Sequence, residues 1–280
     1  MHKNTKLAVL TIGVLGVIFI ISKFLSTSSE SSDNAYLKAN IIPVAAKVDG
    51  FISKINFSDN AQVEQDEILF EIDAKDYTNK QIIAASELQI AEADLSLAEK
   101  ELRRAKQLKK DDFASEKALD QAANKVNNAV AIVNKARAKA ELQQDNLNHT
   151  KVRAQTKGVV NNRAVAPGQL VRVGQMLAYL VDDQNFWVEA NLKETQLKNL
   201  KPGQKVEIKL DAYPGKKFMG RVEGIAKATG ADFSILPPEN ATGNFTKIIR
   251  RVPVKIGFDK SQDLALLKSG LSATIKIYTN

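Results

Sequence analysis

Three kinds of hydrophobic pattern follow one another along the chain. The first is continuous. Residues 7–25, LAVLTIGVLGVIFIISKFL, carry a single charge, Lys23. At 1.5 Å per residue this stretch is about 28 Å long, enough to cross a bilayer core. Lys3 and Lys6 precede it. That predicts a single-pass anchor, with residues 1–6 in the cytoplasm and everything after about residue 27 outside it. A cleaved signal peptide is the rival reading, but no A-x-A cleavage site follows.

The second pattern has a period of seven. Leu88, Leu95 and Leu102 recur with Ala91, Ala98 and Ala105 between them. Farther on, Leu119, Val126, Val133, Ala140 and Leu147 recur with Ala122, Ala129 and Ala136. Two apolar positions per heptad form a narrow seam, and its alanines allow close approach of helices. No Gly or Pro lies between Gly50 and Gly158. The run breaks at KKDDFAS, residues 109–115, where Asp111 and Asp112 disfavour a helix interior. Ser115 is a good N-cap for a second arm. The pattern predicts an antiparallel hairpin over residues 75–150, with its tip at 109–115. An unbroken helix would hold its flanking segments about 100 Å apart.

Those flanking segments resemble each other, which is why they should meet. AKVDGFISKINFSDNAQVEQDEILFEID begins at Ala46, and AQTKGVVNNRAVAPGQLVRVGQMLAYLV begins at Ala154. At an offset of 108, Gly50 falls on Gly158, Val63 on Val171, Asp66 on Gly174, Leu69 on Leu177 and Ile72 on Leu180. Each half has one apolar strand face, and the two are expected to pair into one β-sandwich. The third pattern is strict alternation. Val206, Ile208 and Leu210, then Val252, Val254, Ile256 and Phe258, then Leu271, Ala273, Ile275 and Ile277 predict strands of a small β-barrel. A short helix is expected over 195–200 and an irregular loop over 229–244.

Composition changes this picture little, and charge rather more. The chain has 280 residues, no Cys and a formal net charge of +8. Residues 82–148 balance 11 basic against 11 acidic side chains, whereas residues 193–280 carry 16 against 8. A basic domain outside the cytoplasm suits phospholipid headgroups, and nucleic acid is an improbable partner. His2 and His149 stand alone, so no metal site is expected. No phosphate loop, nucleophile–base set or catalytic carboxylate pair is recognisable, which argues against an enzyme. The adjacent acids Asp111–Asp112 and Asp182–Asp183 read as solvated turn residues.

A split pair of half-motifs around a helical hairpin, with an anchor before and a barrel after, resembles the HlyD or membrane fusion protein family. SDNAYLKAN (32–40), FWVEANLKETQL (186–197) and PPENATGNFTKIIRRVPVKI (237–256) resemble EmrA-type multidrug efflux adaptors in particular. The hairpin is shorter than in the long-armed members. The resemblance implies an elongated, mixed α and β protein. Its parts would be an N-terminal transmembrane helix (7–25), a linker and first strand (26–45), a biotinyl/lipoyl-like β-sandwich split into 46–74 and 151–182, an antiparallel α-helical coiled-coil hairpin (75–150), and a small β-barrel (183–280). It also implies a periplasmic adaptor in the inner membrane of a Gram-negative bacterium, without cofactor. Such an adaptor links a major-facilitator or related inner-membrane pump to a TolC-like outer-membrane channel, and works as a trimer or hexamer. A type I secretion adaptor for an ABC exporter is the alternative.

The resemblance nominates residues as well. Family members that meet such a channel tend to carry Arg-x3-Leu-x6-Ser at the hairpin tip, a spacing matched by Arg104, Leu108 and Ser115. The basic excess of residues 193–280, rather than the resemblance, makes Arg250 and Arg251 the expected contacts to pump or membrane. A carrier domain would need a Lys on the turn joining its halves. Here the hairpin replaces that turn, Met176 and Met219 flank no such Lys, and Lys75 and Lys80 lie at a helix start.

Overall fold

The computed structural model describes residues 29–229, 249–259, 262, 264 and 266–279. The anchor expected over 7–25, and all but the first residue of the loop expected over 229–244, lie outside the described residues. The chain divides into two compact units: Ile41–Val181, and Asp182–Asn280 together with the segment through Asn40. Strands β1 (Ser29–Ala45) and β8 (Met176–Lys193) contribute residues to both.

In the first unit the two half-motifs interlock. Strands β2 (Gly50–Ile55), β3 (Gln62–Val63) and β4 (Ile68–Ile72) come from the first half. Strands β5 (Lys151–Arg153), β6 (Gly158–Asn161), β7 (Leu170–Val171) and the start of β8 come from the second. Gly50 pairs with Val171, and Val63 pairs with Gly158. At the offset of 108 these are one pair with its halves exchanged. Ile52 opposite Ile72 corresponds in the same way to Val160 opposite Leu180. The turns obey the same rule: the Asp66 amide donates to the Ala154 carbonyl, and the Gly174 amide to the Ala46 carbonyl. A quasi-two-fold relation therefore governs the sandwich. Its core takes Val44, Ile52, Leu69 and Phe70 from one half and Val160, Val171, Leu177 and Leu180 from the other. Neither half could bury these side chains alone.

Between the halves stand α1 (Lys75–Lys110) and α2 (Glu116–His149), of 36 and 34 residues. Ala84, Ala91 and Ala98 of α1 and Ala122, Ala129 and Val133 of α2 are buried. Leu88, Leu95, Leu102, Val126, Ala136 and Ala140 are half-buried. The heptad positions are thus the ones that meet, and Ala84 extends their column by one heptad. Glu87 pairs with Lys139 and Glu101 with Lys125. Advancing 14 residues along α1 retreats 14 along α2, which marks antiparallel helices in constant register.

In the second unit the strand order is β1, β12 (Ser272–Tyr278), β9 (Lys205–Leu210), β10 (Lys217–Ile225), β11 (Arg251–Phe258), β8, and a further β1–β8 pairing closes the barrel. Val206, Ile208, Leu210, Val254, Ile256, Ile275 and Ile277 alternate into its core. A short 3-10 helix spans Glu194–Asn199. One expectation fails here. Asp182 and Asp183 are not in a solvated turn: β8 passes through them without a break, and Asp182 is buried.

Candidate docking surfaces

The hairpin tip is built by two caps. Helix α1 ends with Asp112 in the left-handed region, φ 61°. The Phe113 amide then donates to the Leu108 carbonyl at 2.8 Å and the Asp112 amide to the Lys109 carbonyl at 3.1 Å. This double closure satisfies carbonyls that a helix end would leave unpaired. Helix α2 starts at Ser115, whose hydroxyl oxygen accepts from the Ala118 amide at 3.2 Å. Ser115 is therefore the N-cap that its position predicted, and it remains exposed. Arg104 is exposed as well, and Leu108 is 48% exposed. The seam passes through Leu102, Ala105 and half-buried Lys109 instead. Sequence reasoning missed Phe113, which at 82% exposed is the most exposed large hydrophobic side chain among those described. Its signal was available: an aromatic residue off the heptad positions, inside a polar turn.

The base of the hairpin is tied to the sandwich through Asp49. The Tyr77 hydroxyl donates to the Asp49 carbonyl at 2.7 Å, and the Asp49 carboxylate accepts from the Val173 amide at 2.7 Å. Burial pushes the Tyr77 phenol above its ordinary range, and the Asp49 charge adds to this. Lys80 lies over the Tyr77 ring at 5.4 Å, while the Lys75 amide donates to the Asp73 carboxylate at 3.0 Å.

On the barrel, Arg251 stands opposite Lys193 in the β11–β8 register, and its guanidinium donates to the Asn191 carbonyl at 3.1 Å. The Arg250 carbonyl accepts from the Glu194 amide, which leaves the side chain exposed. Three cationic side chains, Lys193, Arg250 and Arg251, thus gather at one end of this strand pair. On strand β9 of the same barrel Glu207 lies between Lys217 at 3.2 Å and Lys209 at 3.5 Å, and the hydrogen bond from Lys217 holds its carboxyl below the usual range. Burial raises the Asp182 carboxyl. Hydrogen bonds from the Asn185 side chain at 2.8 Å, the Gln184 amide at 2.9 Å and the Asn40 side chain outweigh that, and the net direction is down. Among the described residues no group of three or more His, Asp or Glu is arranged to hold a metal ion.

Comparison with known proteins gives this arrangement a class. The fold resembles that of the membrane fusion protein Spr0693 of Streptococcus pneumoniae R6, with a TM-score of 0.66 at 18% identity, covering 91% of this chain and all of that one. A MacA–MexA chimera containing the Pseudomonas aeruginosa MexA α-hairpin domain gives 0.63 at 20% identity, over 91% of this chain and 83% of that one. The architecture is that of a membrane fusion protein, with a β-barrel domain and a helical hairpin. Residues 185–278 match the AAEA-like beta-barrel domain. The chain is 32% identical to the multidrug export protein EmrA of Haemophilus influenzae, over 98% of this chain and 83% of that one. It is 30% identical to the colistin resistance protein EmrA of Acinetobacter baumannii, over 95% and 91%. It belongs to the EmrA family of membrane fusion proteins.

Proposed function

We propose that this protein is the periplasmic adaptor of a tripartite efflux system, coupling an inner-membrane drug pump to a TolC-like outer-membrane channel. The observation that carries the reading is the insertion of a long, charge-balanced hairpin where a carrier domain would keep its reactive turn. The paired halves thus serve as a mount for the hairpin, and the protein couples partners rather than catalysing a reaction. Residues 7–25 anchor the chain in the inner membrane by a single pass, with residues 1–6 in the cytoplasm. The helices of residues 75–150 act as a coiled coil whose tip, through Arg104, Leu108 and Ser115, meets the channel. The barrel of residues 183–280 faces the membrane and pump with Arg250 and Arg251. Three or six copies enclose the duct, because one slender hairpin encloses nothing and closed cyclic symmetry does.

The test is deletion of the gene in its own host, with susceptibility to a panel of toxic amphiphiles measured before and after complementation. Increased sensitivity, restored only when pump and channel are also present, is the expected result. An unchanged panel together with failure to secrete a polypeptide would move the protein to the secretion class. Charge reversal at both Arg250 and Arg251 is expected to weaken recovery of the pump at low salt more than at high salt. Equal recovery at every ionic strength would remove that contact.

A further inference from the structure

We propose that the sandwich holds a phosphate-binding site, in a cavity that straddles its quasi-two-fold axis. The cavity has a volume of about 250 Å³ and lies within the unit Ile41–Val181. At the offset of 108 its two walls are one segment used twice. Val44 corresponds to Val152, Ala45 to Arg153 and Lys47 to Gln155. The backbone repeats too: the Ala46 carbonyl accepts from the Gly174 amide as the Ala154 carbonyl accepts from the Asp66 amide. The apolar positions keep their character, with Val44 and Ala154 buried and Val152 half-buried. The charged positions do not. Arg153 stands where the first half has Ala45, and Lys151 stands where it has Pro43. The repeat therefore explains the floor of the cavity and leaves its cations unexplained.

Those cations are also uncompensated. Lys47, Lys151 and Arg153 line the cavity together with His149, and Asp66 is the one carboxylate among the lining residues. Among the described residues none of these five forms an ion pair. Lys157 and Arg163 of the same unit do, with Glu64 and Asp59. With His149 neutral, three cations against one carboxylate leave the lining at +2. The end of α2 accounts for His149, which sits in its last turn, but the field of a helix end fades within that turn. Lys47 and Arg153 lie outside it. Arg153 is held in place, because its Nη1 donates to the Asp66 carbonyl at 2.8 Å. Most of the five N–H donors of an arginine remain for a ligand. Lys151, two residues earlier on β5, projects from the same face of the strand.

A concave surface of one sign focuses its field and gathers counter-ions. A net +2 matches a phosphomonoester, which carries about two negative charges at neutral pH, better than it matches a carboxylate. The guanidinium fork and the ammonium groups suit its oxygens. Volume sets the size of the ligand. Sites that enclose a drug-sized molecule run to about 300–1,000 Å³, so this cavity takes a phosphate and a short stem rather than a whole drug. Both a small soluble ester and a lipid headgroup present that group.

The test is calorimetric titration of the full-length protein in non-ionic detergent with glycerol 3-phosphate, dihexanoyl phosphatidic acid and acetate. Saturable binding of a phosphate probe, at least about tenfold tighter than acetate, is expected. Tighter binding of phosphatidic acid assigns the site to a lipid headgroup, and equal or weaker binding assigns it to a soluble ester. The Lys151→Gln, Arg153→Gln double variant is expected to lose at least about tenfold in affinity, and Lys47→Gln, from the other wall, to weaken binding as well. Lys38→Gln, Lys54→Gln removes the same charge from exposed lysines outside the cavity and is expected to stay within about twofold. No saturation by either phosphate, acetate bound as tightly, or equal losses in both double variants would overturn the proposal. Melting gives an independent readout. A saturating phosphate probe is expected to raise the melting temperature of the parent and not that of the Lys151→Gln, Arg153→Gln variant. An equal rise in both would count against the site.

Discussion

Four turn residues explain why the repeat at offset 108 survives in so short a sequence. Asn60 and Asp66 have φ of 62° and 64°, and their counterparts Gly168 and Gly174 have 80° and 81°. Left-handed backbone admits Gly freely and Asn or Asp tolerably, so the two halves solved one geometric problem with different members of one short list. Gly50 is constrained more tightly. Its φ is 151°, and an added Cβ would lie 2.6 Å from the Ile72 side chain. Gly50→Ala is expected to destabilise the sandwich by about 1–3 kcal/mol, read as a lower urea midpoint at unchanged slope. Asp182 shows where residue-level reading failed. The string DDQN has turn composition, and nothing local reveals that Asp182 will be buried with Asn40, Gln184 and Asn185 as donors. Its carboxyl titrates below the ordinary value, so it stabilises the folded state at pH above the unfolded value of about 4, and that contribution disappears as pH falls through the lower folded value. Asp182→Asn is expected to lose stability at neutral pH and to flatten the decline of the melting temperature as pH falls below the ordinary carboxylate value of about 4. A wild-type-like pH curve for the variant would contradict this.

Among the elements, the hairpin was the most legible and the barrel face the least. Heptad spacing locates the seam because one geometric rule, with no distant information, decides which side of a long helix is covered. The same spacing also holds a second aliphatic column, Ile83, Ile90 and Leu97, but no regular second apolar position per heptad accompanies it. Ala84, Ala91 and Ala98 win the interior because small side chains let α1 and α2 approach, while Ile83, Ile90 and Leu97 are left outside. A substitution distinguishes the columns. Ala91 is 4% exposed, and Ala91→Leu forces three extra carbons into a closed seam, expected to cost about 1–3 kcal/mol. Ile90→Ala, one residue away, is expected to change stability of the monomeric chain by less than about 0.5 kcal/mol. Urea unfolding followed at the helical signal reads both, and equal losses would show that the seam has been misplaced. In the barrel, alternation marked the inward residues of β9, β11 and β12 well. It could not show that β8 runs unbroken through Asp182, because continuity there depends on strands distant in sequence.

At the scale of the molecule, the proposed docking turns on what the tip touches. The turn lies about 50 Å from the sandwich along the helices, and both of its helix ends are capped by local hydrogen bonds alone. Such a turn holds its shape without help from a core, so side chains there can change with little effect on folding. Leu108 is half exposed and lies off the seam, and Phe113 is nearly free of the protein surface. Burying a Leu-sized side chain is worth about 1.5–3 kcal/mol. If that burial occurs against the channel, Leu108→Asp is expected to weaken docking at least tenfold, and Phe113→Ser by a similar factor. Phe113→Ser is expected to melt within about 2 °C of the parent, and Leu108→Asp within about 4 °C, since Phe113 is almost fully exposed and Leu108 is only half covered. Ser115→Ala serves as the contrasting case. It deletes the α2 cap, and its expected cost of about 1 kcal/mol falls on stability as well as on docking. The measurement is drug susceptibility of cells carrying each variant, paired with a thermal melt of the purified protein. Lost resistance with an unchanged melt at Leu108 and Phe113 would place the channel at the tip. Full resistance from both, with melts unchanged, would mean that the channel is met elsewhere on the chain.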